Sequence, residues 1–215
     1  MQIQRVQVID DDPGVRETYS DKIIDANLIA VPEDDEMLGT IEEFLARRPR
    51  AEAGLSDFDL KPSGYAGFNG AELVSRWYKT NFPGILCTRY EKVHIERIRP
   101  LRRHIPVLIT PDKLNPDSIV LGLEECIREL SGTIRPVRRA WRTQVHFLDD
   151  EVGSNGTFTV ELPAWGLEEA IRVRASDLPR SIKKSAQPGF RCHAFANLGA
   201  EASEDLFLDE WVVEG

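Results

Sequence analysis

The chain is short of everything that would staple it or anchor it. It has only three cysteines, Cys87, Cys126 and Cys192, far apart and without C-x-x-C spacing. A disulfide framework and a cysteine zinc site are therefore excluded, and each thiol is expected to be a small buried apolar residue. No apolar run approaches the roughly 20 residues needed to cross a bilayer. The opening Met1–Ile9 alternates apolar and polar residues, unlike the continuous apolar core of a signal peptide, so a cytoplasmic location is expected. Positive charge is also in deficit: the net charge is −9, with −5 over residues 1–136 and −4 over 137–215. That balance argues against a dedicated DNA-binding output domain, which would carry a basic face. Internal repeats and low-complexity tracts are absent.

What is present is ordinary globular composition, 41% hydrophobic and 29% charged, arranged in two textures. From Arg5 to about Thr133, short apolar runs alternate with longer amphipathic stretches, the pattern of a βαβ array with a parallel sheet. Strands are expected at Val6–Ile9, Leu28–Val31, Gly54–Asp57, Gly84–Cys87 and Pro106–Ile109. Helices are expected to begin near Pro13, Met37, Asn69, Glu91 and Pro116. Asp12-Pro13 and Asn115-Pro116 each offer a capping side chain followed by proline at the first helical position.

Glycine and proline in Ser131-Gly132-Thr133-Ile134-Arg135-Pro136 end the last helix, so domains are expected at 1–134 and 137–215. In the second, Trp141–Leu148, Thr157–Leu162, Ile171–Arg174, Phe190–Asn197 and Leu206–Val213 read as short strands, with turns at Gly153-Ser154-Asn155-Gly156 and Gln187-Pro188-Gly189. A small all-β barrel or sandwich is expected. Trp141, Trp165 and Trp211, with Phe147, Phe158, Phe190 and Phe207, are expected to build its core, and His146 and His193 to be satisfied histidines without metal-ligand spacing.

The chemistry concentrates at two acidic sites, Val8-Ile9-Asp10-Asp11-Asp12 and Leu55-Ser56-Asp57-Phe58-Asp59-Leu60-Lys61-Pro62. Apolar runs ending in carboxylates gather acids at one edge of a parallel sheet. Such a cluster repels itself unless it holds a cation, which implies Mg²⁺. A dehalogenase-type phosphatase also uses a strand-end Asp-x-Asp, but the threonine and lysine pattern it needs is missing here.

Residues 4–134 resemble the receiver domain of two-component response regulators, most closely in Val8-Ile9-Asp10-Asp11-Asp12-Pro13-Gly14-Val15-Arg16. The resemblance implies a flavodoxin-like (βα)5 receiver with a parallel five-stranded sheet. It makes Asp10, Asp11, Asp57 and the main-chain carbonyl of Asp59 the Mg²⁺ site, Asp57 the phosphoryl acceptor, and Thr88 the hydroxyl closing β4. Gly70 resembles the glycine that opens the next helix, and Ser63–Phe68 lengthens the loop before it. Two positions depart from the family. Arg89 follows Thr88 where a small residue is usual, and Thr110-Pro111 stands where the family has lysine-proline, with Val107 at the aromatic switch position and Lys113 three residues beyond Thr110.

The expectation is an atypical response regulator, not an enzyme beyond its own phosphorylation and dephosphorylation. Its partners would be a histidine kinase or another signalling protein and a second copy of itself. The alternative is a phosphorylation-independent pseudo-receiver acting as a protein-binding module. Basic runs at Lys92–His104 and Arg135–Arg142 are expected to be a solvated helix face and a polar connector. The first of them is also suited to an acidic partner, and Arg138, Arg139, Trp141 and Arg142 are the one sign of a nucleic-acid-binding barrel.

Overall fold

The computed structural model describes residues 2–47, 50–61, 63–89, 92–148, 156–166 and 169–212. Pro62, Glu91, Val213 and the turn residues Gly153-Ser154-Asn155 lie outside them. The chain divides into two compact units, residues 1–91 with 104–133, and residues 92–103 with 134–215.

In the first unit, β1 (Arg5–Ile9), α1 (Pro13–Asp25), β2 (Ile29–Pro32), α2 (Ile41–Ala46), β3 (Ala53–Asp57), α3 (Gly70–Lys79) and β4 (Gly84–Cys87) follow one another. The next helix, α4 (Lys92–Ile98), belongs to the second unit, and the first resumes with β5 (Val107–Ile109) and α5 (Pro116–Leu130). The strands are parallel in the order β2-β1-β3-β4-β5. This is the flavodoxin-like doubly wound order, and its direction reverses at β1 and β3.

Local chemistry explains the helix starts. Asp12 accepts from the N–H groups of Gly14 at 2.8 Å and Val15 at 3.3 Å, ahead of Pro13, and Asn115 with Ser118 does the same ahead of Pro116. Asn69 with Glu72 forms a capping box for α3. The second helix starts later than Met37, because Thr40 and Glu43 form a capping box that begins it at Ile41. Met37 itself is exposed.

On one face, Val6, Val8, Leu55 and Ile85 pack with Tyr19 and Ile23 of α1 and Ile119 and Leu123 of α5. On the other, Trp77 of α3 lies directly on the sheet. A β-carbon at Gly54 or Gly84 would come within 2.4 or 2.8 Å of its ring, so glycine at these two strand positions makes room for the indole.

The second unit carries β6 (Trp141–Phe147), β7 (Thr157–Glu161), β8 (Ile171–Arg174), α6 (Arg180–Ser185), β9 (Arg191–Ala196) and β10 (Leu208–Val212). The strands are antiparallel in the order β10-β9-β6-β7-β8, a single sheet curled as half a barrel. Its core joins Val145, Phe147, Phe158, Val160, Trp165, Ile171 and Ile182, the last from α6, a helix the alternating sequence pattern did not suggest. The Trp165 indole N–H donates to the Ala200 carbonyl at 2.8 Å. Trp141 does not join this core. It is 54% exposed, because the first residue of β6 lies beyond the packed stretch that starts at Thr143. All three cysteines are buried thiols outside any disulfide. His146 is satisfied, paired with Glu161 at 3.0 Å and Gln144 at 2.8 Å.

The basic runs are solvated only in part: Arg97, Arg135, Arg139 and Arg142 are exposed, but others turn inward. Arg99, Arg102 and Arg138 are buried. Arg99 donates to the carbonyls of Ser203 at 2.7 Å and Leu206 at 3.0 Å, and Arg138 donates to the carbonyl of Arg103 at 2.9 Å. Arg102 pairs with Asp205 at 2.8 Å, and Arg103 with Glu210 and Asp209. The acidic partner suited to this run is thus supplied by the chain's own 203–210 segment.

Candidate functional site

Strand register brings the predicted residues to one edge. Ile9 stands beside Ser56, Asp57 beside Cys87, and Cys87 beside Ile109. Asp10 therefore follows β1 where Asp57 closes β3, while Thr88 and Thr110 follow β4 and β5. Parallel strands of equal phase deliver their next residues to the same rim, and ligands of open α/β sheets bind there.

Asp10 is only 3% exposed. Its Oδ1 accepts the Asp12 N–H at 2.9 Å, and its carbonyl accepts from Arg16 Nη1 at 2.5 Å. Burial pushes its carboxyl up to about 7, and the charges of Asp57, Asp11 and Asp12 push the same way against the Asp12 hydrogen bond. Asp57 is half-buried and also raised, first by burial and then by Asp59 and Asp11. The N–H groups of Asp59, at 2.6 Å from Oδ2, and of Phe58 oppose the rise. Asp11 and Asp59 are half-buried, and Asp12 is exposed, occupied in capping α1.

The remaining positions divide. Thr88 is buried, held by its N–H on the Ile109 carbonyl at 3.0 Å. Arg89 is exposed. Thr110 is half-buried, and its hydroxyl is the main cause of the Asp112 carboxyl lying below its ordinary range. Lys113 is exposed in the turn that folds back on the Thr110 carbonyl, and its charge also lowers Asp112. Val107 is packed at the margin of the core. Gly70 N–H donates to the Phe58 carbonyl at 3.0 Å, which ties the start of α3 to the loop after Asp57. The Ser63–Phe68 loop is tied down as well, since Ala66 bridges Gly39 and the Tyr65 hydroxyl donates to the Glu33 carbonyl at 3.0 Å.

Three neighbours of the acids escaped the sequence reading. Arg16 is buried, lies 5.7 Å from the Tyr65 ring centre and approaches Asp34 at 3.8 Å. The Tyr19 hydroxyl and the Cys87 thiol meet at 3.3 Å. Burial pushes the thiol up to about 11 and raises the phenol too, and the negative charges of Asp57 and Asp10 add to both. The signal available for Arg16 was its place one turn into α1. Tyr19 and Cys87 looked like ordinary core residues.

Among the described residues no three His, Cys, Asp or Glu side chains converge as a ready-made ion cage. Mg²⁺ does not require one, since it keeps several waters and uses one or two carboxylates with phosphate oxygens. The donor set is all hard oxygen, and its carboxylates push one another's proton affinity upward, which a divalent cation would relieve. The residues present therefore fit Mg²⁺.

Fold and site together define a flavodoxin-like α/β unit with an acidic, hydroxyl-bearing rim at the carboxyl ends of its strands. Among solved structures, the chain is similar to a CheY-like response regulator receiver domain protein from Methanospirillum hungatei, with 17% identity over 61% of this chain and 98% of that one, at a TM-score of 0.44. It is similar to the chemotaxis response regulator CheY4 of Vibrio cholerae, with 18% identity over 58% and 99%, at 0.41. It is also similar to the signal receiver domain of an HD domain-containing protein from Pseudomonas fluorescens, with 12% identity over 61% and 92%, at 0.46. No protein-family model and no curated protein matches the chain.

Proposed function

We propose that this chain is an atypical response regulator, in which Asp57 accepts a phosphoryl group from a histidine kinase or a small phosphodonor and thereby changes the contacts of the second unit. The observation that carries the reading is the register that aligns Asp10, Asp57 and Thr88 on one rim. In the transfer, a carboxylate oxygen of Asp57 forms the new P–O bond, the bond from phosphorus to the donor imidazole breaks, and its electron pair leaves on the imidazole nitrogen. The Asp59 N–H fixes Asp57 Oδ2 at 2.6 Å and so orients the carboxylate. Asp10, Asp11, Asp57 and the Asp59 carbonyl would hold Mg²⁺, which supplies charge compensation for the phosphoryl oxygens. The buried Thr88 hydroxyl is the group suited to hydrogen-bond the product phosphoryl.

A second reading, a pseudo-receiver that binds partners without phosphorylation, is favoured by Thr110. A hydroxyl cannot replace the charge of the lysine found there in receivers, and Lys113 is exposed. Of the residues that suggested a nucleic-acid-binding barrel, Arg138 is buried and bound to carbonyls, while Arg139, Trp141 and Arg142 are exposed. Among the described residues no helix is long and apolar enough to cross a membrane. We keep a cytoplasmic, self-associating signalling protein as part of the proposal.

Beryllofluoride, a stable mimic of an aspartyl phosphate, discriminates the two readings. With Mg²⁺ it is expected to shift amide resonances of residues 57–59 and 88–89 in wild type and not in Asp57→Ala. Unchanged spectra in both would select the pseudo-receiver.

A further inference from the structure

Arg16 stands where a cation is costly. It lies one turn into α1 and is 9% exposed, so its charge opposes the positive end of the helix and its guanidinium is withdrawn from water. Asp34 compensates little, since its carboxylate is 3.8 Å away on a side chain 74% exposed. What Arg16 holds firmly is main chain. Its Nη1 donates at 2.5 Å to the Asp10 carbonyl, which belongs to the peptide unit joining Asp10 to Asp11. A bond from a charged donor is stronger than one between neutral groups, so this peptide plane is pinned.

The same guanidinium reaches a second loop. Its carbon lies 5.7 Å from the centre of the Tyr65 ring, within cation–π range. Tyr65 is buried in the segment between β3 and α3, and its hydroxyl donates at 3.0 Å to the carbonyl of Glu33, the residue after β2. One side chain therefore ties the loop carrying Asp10 and Asp11 to the loop that follows Asp57, with the end of β2 attached through Tyr65. Two constraints then act on the acid pair. The Asp12 N–H fixes the Asp10 carboxylate through Oδ1 at 2.9 Å, and Arg16 fixes the peptide plane from which Asp11 departs.

We propose that Arg16 is a positioning residue for the acidic rim: it sets the direction of Asp11 and the spacing of the Asp10-Asp11 and Asp57 loops, and through them the affinity of the rim for a divalent cation. The proposal rests on the reading of the rim as a Mg²⁺ site and adds a residue outside the ligand set that controls it.

Titration of the full chain with Mg²⁺, followed by the amide resonances of residues 10–12 and 57–59, tests it. Arg16→Ala is expected to raise the half-saturating Mg²⁺ concentration at least about tenfold, the usual effect of removing a group that orients a metal's ligands, and Arg16→Lys to recover part of that loss. Ile23→Val, which loosens α1 in the core two turns further on, is expected to leave it within about twofold. In metal-free protein the Asp12 amide, held by the Asp10 carboxylate, is expected to exchange with solvent faster in Arg16→Ala than in Ile23→Val. Should Arg16→Ala fail to fold by circular dichroism, Arg16→Gln, which keeps an amide donor without the reach of the guanidinium, decides the matter by the same criterion. Unchanged half-saturation in the folded arginine variant, an equal loss in Ile23→Val, or no response of the wild-type amides to Mg²⁺ would overturn the proposal. A phosphoryl adduct on Asp57 with Mg²⁺ affinity independent of Arg16 would overturn it alone, whereas an Arg16-dependent Mg²⁺ response without any adduct would overturn phosphorylation alone.

Discussion

Gly70 presses on the Asp57 backbone so closely that a β-carbon there would lie 1.8 Å from the Asp57 carbonyl oxygen and 2.7 Å from Ser56 Oγ. The start of α3 and the proposed acceptor thus share one packed contact, and the Gly70 N–H on the Phe58 carbonyl at 3.0 Å holds the helix start there. Gly70→Ala is expected to destabilise the first unit by about 3 kcal/mol, read by chemical denaturation. It should also displace the amide signals of Asp57 and Phe58 in the remaining folded protein.

Asp10 sets a pH dependence. Its carboxyl is raised from an ordinary 3.8 to about 7, so the folded protein binds that proton more tightly than the unfolded chain. Stability contributed by this group is therefore fully present below pH 4 and is lost as pH rises toward 7. Asp57 is raised in the same sense. Asp10→Asn is expected to flatten the decline and to raise stability at pH 8 by roughly 2–4 kcal/mol, measured as unfolding free energy at pH 5 and pH 8.

The same repulsion predicts a metal response. Millimolar Mg²⁺ is expected to raise the melting temperature at pH 8, where Asp10 is charged, and to have little effect at pH 5, where it keeps its proton. Asp10→Asn should lose most of the increment. Equal stabilisation at both pH values would indicate binding elsewhere.

In the second unit, Arg99 anchors α4 to the carbonyls of Ser203 and Leu206. Burial lowers its guanidinium to about 10. Arg99→Ala would leave two carbonyls without their donor and open a cavity, and a loss of about 2–4 kcal/mol is expected by denaturation. The exposed Arg139→Ala is expected to change stability by less than about 0.5 kcal/mol.

Much of this architecture was legible because it rests on short-range chemistry. Alternating apolar runs located the strands to within a residue or two, and Asp12-Pro13 and Asn115-Pro116 announced their helices through caps that act within one turn. The acids at strand ends were visible for the same reason. What stayed hidden depends on partners distant in sequence. An arginine run has the same composition whether it meets water or the carbonyls of residues a hundred positions on, as Arg99 does. Trp141 looked like core because its side chain is apolar, yet its place at the end of β6 leaves it in solvent. Likewise the pinning of Glu33 by Gln7 joins β1 to the residue after β2 through side chains that no local pattern couples.

The central claim is that Asp57 still accepts a phosphoryl group despite Thr110 in the usual lysine position. Intact-mass measurement after incubation with Mg²⁺ and a small phosphodonor tests it most directly. The account predicts a labile adduct of one phosphoryl group, lost on standing and absent from Asp57→Ala. An unmodified mass for the folded wild type, or an adduct that persists in Asp57→Ala, would contradict it.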